Sequence, residues 1–397
     1  NYVLLSRVNA MSVHITKRKV ILFLLLIPVF MPISVDYFTT SLHLNRLLTY
    51  VVDAYLLCRL VFSRKALSIV TVISACMYAW ILLATAISHG LMDNAILSLL
   101  RIMIVCLIFD LYRNDVYTLV RVLILHCEIC VYVNLLSVLV APNGLYSRSV
   151  SGYAVSQEWF LGVDNYFVQW LFPALVVAWA YIALTRSKTR GYVLTAAVVV
   201  TEFIHGSATG IVGIVLFSLL MIIPKVKLVF TPIRSVVISV IVWLLIVVFR
   251  ADSIFAPLVS TLGKDMTFTG RLNIWDNALR VITANPILGY GVLTNDAMVG
   301  YLGSSSSGVW VGATHCHDQI LQVAFQGGLV ALALLLVIIA LIIKKSLEYW
   351  PKKVAQIAVY AVSAYLIMCT TEVFTFPVMF LIFPLSYYVL SDQTVKE

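Results

Sequence analysis

Charge is what this sequence has least of: Asp, Glu, Lys and Arg make up only 11% of its 397 residues, against 62% hydrophobic. A water-soluble chain of this length needs far more polar surface to stay dispersed, which excludes a soluble enzyme or scaffold. A disulfide framework is also missing. Cys58, Cys76, Cys106, Cys127, Cys130 and Cys369 fall inside apolar runs, where a thiol serves as a small apolar side chain. Cys316 alone is expected at the surface, without a partner there. Its flanks, His315-Cys316-His317, are spaced too tightly for the usual zinc patterns and no second ligand cluster exists, so no metal is expected. Heptads and solenoid repeats are absent, and the only biased tract, the serine run 304–307, reads as a linker.

What the chain has in abundance is apolar runs of the roughly 17–25 residues that carry a helix across a bilayer core of about 30 Å. They are expected near 19–35, 44–62, 66–87, 91–111, 116–140, 163–184, 191–205, 207–223, 233–250, 318–343, 354–373 and 376–391. The predicted fold is all-α, a single transmembrane domain over 1–397 of about twelve helices. One large extracytoplasmic loop, 251–317, is expected between the ninth and tenth. The run after Lys17-Arg18-Lys19 has the basic flank of a signal peptide but no small-residue cleavage site, and is expected to be retained as the first span.

Basic residues sort by side. Lys17, Arg18, Lys19, Arg64, Lys65, Arg113, Arg186, Lys188, Arg190, Lys225, Lys227, Arg234, Lys344, Lys345, Lys352, Lys353 and Lys396 fall on one side. Only Arg148, Arg250, Lys264, Arg271 and Arg280 fall on the other. This is the positive-inside asymmetry, and it predicts cytoplasmic N- and C-termini. The net charge of +9 is thereby explained by topology, and no nucleic-acid partner is expected.

Two outer loops are long. The first, 141–162, holds Arg148, Glu158 and Trp159; the second, 251–317, holds most of the polar chemistry. Within it, residues 269–282 have helical spacing, with Trp275, Ala278, Leu279 and Ile282 as an apolar stripe, Thr269 as N-cap and Asn285-Pro286 as the stop. An amphipathic helix lying on the membrane or on the bundle is predicted. Arg271 and Arg280 are nine residues apart and face opposite ways at about 100° per residue. Arg280 has Asp276 one turn back as an i,i+4 partner, so Arg271 is the better candidate for an anion. The tenth span opens at His315-Cys316-His317-Asp318-Gln319, where helix N–H groups and the dipole suit an anion. Gln319, Gln322 and Gln326 make a polar stripe, read either as interhelical glue or as a groove into the bundle. Charges inside the other spans must be paired or solvated; Arg101 is expected to pair with Asp53 or Glu128, and Asp252 to neutralise Arg250. Arg46 lies near enough to the outer end to join a site, although snorkelling to the interface is the favoured reading.

The order Thr-Gly-Arg-Leu-Asn-Ile-Trp at 269–275, Asn-Pro-Ile-Leu-Gly-Tyr-Gly at 285–291, then His317-Asp318 resembles the O-antigen ligase and O-antigen, capsular or exopolysaccharide polymerase superfamily. Gly206-Ser207-Ala208-Thr209-Gly210 is similar to that family's Ser-rich turn. The resemblance implies a membrane glycosyltransferase of the bacterial cytoplasmic membrane, with its active site facing outward. Donor and acceptor would be polyprenyl-diphosphate-linked saccharides, such as those on undecaprenyl diphosphate. Membrane lipids and other polysaccharide-assembly proteins would be its further partners. It implies Arg271 on the departing diphosphate and His317 as general base, with His315, Asp318, Gln319, Arg46, Ser207 and Thr209 in substrate binding. No nucleotide-sugar loop or Asp-x-Asp pair is evident, in keeping with a donor already activated by its diphosphate and with no cofactor. Ligases usually carry an arginine where Ala208 stands here, so polymerisation of repeat units is the favoured activity and ligation to another acceptor the alternative. A flippase or transporter is a third reading, disfavoured because no internal repeat is visible and the polar chemistry lies in a loop.

Overall fold

The computed structural model describes residues 16–151, 154–185, 187–250, 268–303 and 312–390. Arg186, Asp252, Lys264, Lys396 and the serine run 304–307 lie outside the described residues. The helices are α1 (Lys17–Leu26), α2 (Leu44–Ser63), α3 (Ile69–Ile87), α4 (Met92–Tyr112) and α5 (Val116–Val140). After the strands β1 (Tyr146–Ser151) and β2 (Ala154–Glu158) come α6 (Val168–Leu184), α7 (Thr189–His205), α8 (Ala208–Ile222) and α9 (Pro232–Trp243). The chain ends with α10 (Phe268–Ala284), α11 (Asn295–Leu302), α12 (Gln319–Tyr349), α13 (Lys353–Met368), α14 (Pro377–Phe380) and α15 (Ile382–Val389).

Among the described residues, five segments are long and apolar enough to cross a membrane: α3, α4, α5, α12, and α6 together with the turn before it. Helices α8, α9 with its following π turn, α13, and the α14–α15 pair are shorter but apolar. The expected first span departs from a single helix. Helix α1 stops at Leu26, and a second short helix, Ile33–Phe38, begins only after Pro28 and Pro32. Each proline removes an N–H and crowds the preceding turn, so the run bends instead of continuing. Helix α6 is apolar all round and almost wholly buried, as a central helix must be.

The two ends of the bundle differ in chemistry. One carries the basic contacts. There Arg18 meets Asp115 at 3.1 Å. Lys65 Nζ donates to Leu111 O at 2.6 Å, Arg113 to Ala66 O at 3.2 Å and Lys353 Nζ to Met221 O at 2.9 Å. The other end carries an antiparallel β-hairpin within 141–162, a stretch expected to be plain loop. Its centre is Glu158, fully buried, which accepts from Tyr146 Oη at 2.9 Å and Arg148 Nε at 2.9 Å. Mid-bundle charges are arranged differently from the expectation. Glu128 is held by Arg190 through two bonds of 2.6 and 2.5 Å, because α7 starts beside the middle of α5. Arg101 therefore pairs with neither Glu128 nor Asp53; Arg101 Nε and Asp53 Oδ2 are both buried without a hydrogen-bond partner.

Helix α12 is broken at Gly327-Gly328, where Gly328 takes φ +61° and ψ −166°. Buried backbone groups freed by such a break need partners, since no water competes for them in a bilayer. The segment 285–291 supplies them. Tyr290 N–H donates to Phe325 O and Gly291 N–H to Gln326 O, both at 2.8 Å, while Leu329 N–H donates to Pro286 O at 2.7 Å. Trp80 Nε1 donates to Gly327 O at 3.0 Å. A Cβ on Gly328 would lie 2.1 Å from Ile287 O, so only glycine permits this approach. The Pro-x-x-Gly-x-Gly turn is thus a backbone plug seated in a gap in a membrane helix. Its far side rests on α3, where Val292 N–H donates to Thr85 Oγ1 at 2.9 Å.

Candidate active site at the hairpin end

Helix α10 carries Arg271 and is anchored by the stripe read from the sequence. Trp275, Ala278 and Ile282 of that stripe are buried against Ile246, Val247, Leu321 and Phe325, Leu279 is half-buried beside them, and Ile274, outside the expected stripe, is buried too. It therefore packs on the bundle. The helix starts at Phe268, so Thr269 lies within its first turn instead of ahead of it. Arg280 is exposed and donates to Asn277 Oδ1 at 3.4 Å; the expected pairing with Asp276 is replaced. Asp276 binds Arg250 of the segment after α9, whose side chain also lies over the Trp275 ring. Arg271 is on the inward side, half-buried, and the charge facing it is Glu372.

Glu372 lies in the link between α13 and α14, which the sequence reading assigned to the end of a span. The link is pinned from three helices. Gln319 N–H donates to Cys369 O at 2.9 Å, and Gln319 Oε1 accepts from Phe374 N–H at 2.7 Å. Gln169 Oε1, on α6, accepts from Thr375 and Phe376 N–H at 2.9 and 3.0 Å. Thr371 and Thr209 share a hydroxyl hydrogen bond of 2.8 Å. Burial raises the Glu372 carboxyl above its ordinary range, and Arg271 opposes that rise. Burial likewise lowers Arg271 while Glu372 supports its charge.

The histidine pair sits where the chain enters α12. The His315 and His317 ring centroids are 3.9 Å apart. His317 N–H donates to His315 Nδ1 at 3.2 Å, which leaves a neutral His315 with its proton on Nε2. His317 has φ +49°, a left-handed conformation that costs a side-chain-bearing residue roughly 1–2 kcal/mol. Its Nδ1 is buried with no hydrogen-bond partner. Burial and then the Arg271 charge push the His315 pKa down to about 4. His317 is pushed down further by burial, then by His315 and Arg271. Both rings are consequently neutral at pH 7. Cys316 between them is buried, contrary to the surface position expected, because its N–H donates inward to Gln322 Oε1 at 2.9 Å.

The remaining expected site residues divide. Asp318 is the cap of α12: its Oδ1 accepts from Leu321 N–H at 2.8 Å and its Oδ2 from Trp243 Nε1 at 2.7 Å. Burial raises its pKa to about 7 against those donations. Ser207 caps α8, accepting from Gly210 N–H at 3.0 Å, and donates its N–H to Glu202 Oε1 at 3.0 Å. The two glycines of that turn make room for Glu202; a Cβ on Gly210 would lie 1.8 Å from its carboxylate. Arg46 is not brought to Arg271. It reaches Asp93 at 3.7 Å and acts on Arg101.

A cavity of about 350 Å³ runs inward from His315 between α3, α4 and α12. Ser98 and Arg101 line one side, and Gln319, Gln322 and Gln326 the other. All three glutamines line the cavity, and Gln322 and Gln319 also accept from the Cys316 and Phe374 N–H groups of the neighbouring links. Glu372 and the cavity face of Arg101 escaped the sequence reading because neither has a local signature; each gains meaning only from what other helices place beside it.

These features define a helical membrane protein with a polar, partly enclosed site at one end of the bundle. Residues 173–336, somewhat less than half of the chain, match the family model described as O-antigen ligase. That segment contains Arg271, the glycine turns and both histidines, and by this match it is similar to the O-antigen ligase family. No curated protein matches the chain.

Proposed function

We propose that this protein polymerises polyprenyl-diphosphate-linked oligosaccharide repeat units at the outer face of the bacterial cytoplasmic membrane. The reading rests on one observation: Arg271 lies within electrostatic reach of Glu372 and of the contacting His315 and His317 rings, and His315 lines a cavity that enters the bundle. It takes the hairpin end as outward, about twelve spans, and cytoplasmic termini, in keeping with the basic contacts at the opposite end.

In this mechanism an acceptor hydroxyl attacks the anomeric carbon of the donor saccharide. The glycosidic C–O bond forms as the bond to the diphosphate breaks, and the lipid diphosphate leaves with the electron pair. His317, neutral at pH 7, takes the hydroxyl proton. Arg271 meets the negative charge on the departing oxygens. Glu372 orients Arg271 electrostatically, and Asp318 with Trp243 fixes the start of α12 on which the histidines depend.

Polymerisation is favoured over ligation by Ala208, which stands where ligases usually have an arginine. Ligation is the second reading, favoured by the matched family description itself. The deciding assay supplies purified protein with one lipid-diphosphate-linked repeat unit and no other acceptor. A product ladder with single-repeat spacing is expected. Turnover only with an added lipid A-core, peptidoglycan or protein acceptor, and no ladder, replaces polymerisation with ligation.

A further inference from the structure

Arg101 poses an energetic problem that the reaction chemistry leaves unused. It lies ten residues into α4 (Met92–Tyr112), lines the cavity, and has its Nε buried without a hydrogen-bond partner. A cation held inside a membrane bundle costs at least about 2.5–3.5 kcal/mol on insertion scales, so an uncompensated one marks a ligand or ion pathway. The charges that act on it are Asp36 and Arg46, of opposite sign, and neither forms a salt bridge with it.

The wall facing Arg101 has its polarity set by the backbone. A glutamine amide presents either an acceptor or a donor, depending on which end is already engaged. Gln322 Oε1 is taken by Cys316 N–H at 2.9 Å, and Gln319 Oε1 by Phe374 N–H at 2.7 Å. Each side chain therefore has its NH₂ left to offer. His315 is in the same state, its Nδ1 taken by His317 N–H and its Nε2–H left over. All three line the cavity. No aspartate or glutamate lines it among the described residues. Donors and a cation line part of a space of about 350 Å³ whose remaining wall is largely apolar.

We infer that this cavity is an oxyanion-binding subsite, separate from Arg271, that holds a phosphate or carboxylate group of a lipid-linked saccharide through Arg101, Gln319, Gln322 and the Nε2–H of His315. Within the polymerase reading, on which the choice of ligand rests, it seats the second substrate. The oxyanion is either the diphosphate of that lipid or the carboxylate of an acidic sugar in its repeat. Arg101 here is a binding residue, since no reacting atom is assigned to it.

The experiment measures binding to the full-length protein in lipid nanodiscs by calorimetry, without turnover. The probes are a polyprenyl diphosphate, a glucuronate-containing oligosaccharide and a neutral oligosaccharide. Arg101→Gln is expected to weaken one of the two anionic probes at least tenfold and to leave the neutral one unchanged; which probe it affects identifies the oxyanion. Arg101→Lys is expected to retain most of the affinity. Gln326→Glu, which adds a negative charge to the cavity without removing Arg101, guards against misfolding of the arginine variant and is expected to weaken the same probe at least tenfold. An Arg271→Ala background is expected to preserve the Arg101-dependent part. If Arg101→Gln and Gln326→Glu both bind the two anionic probes within twofold of the native protein, the subsite does not exist, even where the product ladder forms. If Arg101-dependent binding is seen but no ladder ever forms, the subsite stands and the polymerase reading falls.

Discussion

Arg271 and Arg280 share one helix, yet only Arg271 faces a buried carboxylate while Arg280 reaches no further than Asn277. Replacing Arg271 by alanine is expected to cost about 2.7–4 kcal/mol in the barrier, the loss typical of removing a donor from developing charge. Arg271→Lys is expected to restore only part of it, since a point charge cannot match a forked contact to two phosphate oxygens. Arg280→Ala is expected to change kcat/KM little. Steady-state rates with lipid-linked donor check all three, and a silent Arg271→Ala beside a dead Arg280→Ala contradicts the assignment. The histidines carry a pH signature. An ordinary histidine would protonate as pH falls through 6.5, and a base-dependent rate would fall with it. Burial, His315 and Arg271 hold His317 well below that value, so it stays neutral throughout, as a weaker base than an ordinary histidine. The expected kcat/KM is therefore level across that range. An acid limb centred near 6.5 that persists in Asp318→Asn, whose own titration is raised to about 7, speaks against His317 as the base.

At the scale of elements, the site depends on a broken helix and the turn that repairs it. The glycine turn at 286–291 donates two N–H groups to α12 and accepts one, so the break at Gly327-Gly328 holds without stranding polar groups. Gly328→Ala combines an unfavourable left-handed φ with a Cβ 2.1 Å from Ile287 O. The φ penalty alone is roughly 1–2 kcal/mol. The variant is expected to melt earlier in detergent and to lose activity with the turn displaced. An unchanged melting temperature means that α12 and the turn are not coupled as described.

For the whole molecule the central expectation is sidedness. In a cysteine-free background, a cysteine at Asn143 beside the hairpin and one at Lys225 at the opposite end are both exposed. A membrane-impermeant thiol reagent applied to intact spheroplasts is expected to label the first and spare the second. Labelling at position 225 from outside inverts the topology and removes the proposed site from the outer face. In that expected orientation the basic contacts of Arg18, Lys65, Arg113 and Lys353 would form a cytoplasmic collar, at home beside anionic lipid.

Composition and periodicity by themselves determined the membrane class, most helix positions and the buried stripe of α10, while Arg271 and the histidines were marked as candidates by residue type, helix position and a family resemblance. Those follow from local physics: apolar run length, 3.6-residue spacing, and residue types suited to one chemistry. Only the tertiary structure decided which charges meet. Glu128 went to Arg190 and Asp276 to Arg250, and Glu372 came within electrostatic reach of Arg271, because the partners come from different segments of the chain. The role of the glutamine stripe was decided the same way. Sequence places three amides on one side of α12, but two backbone N–H groups from elsewhere engage the carbonyls of Gln319 and Gln322 and leave their amide donors available beside Arg101. A side chain with two possible polarities acquires one only when its neighbours are in place.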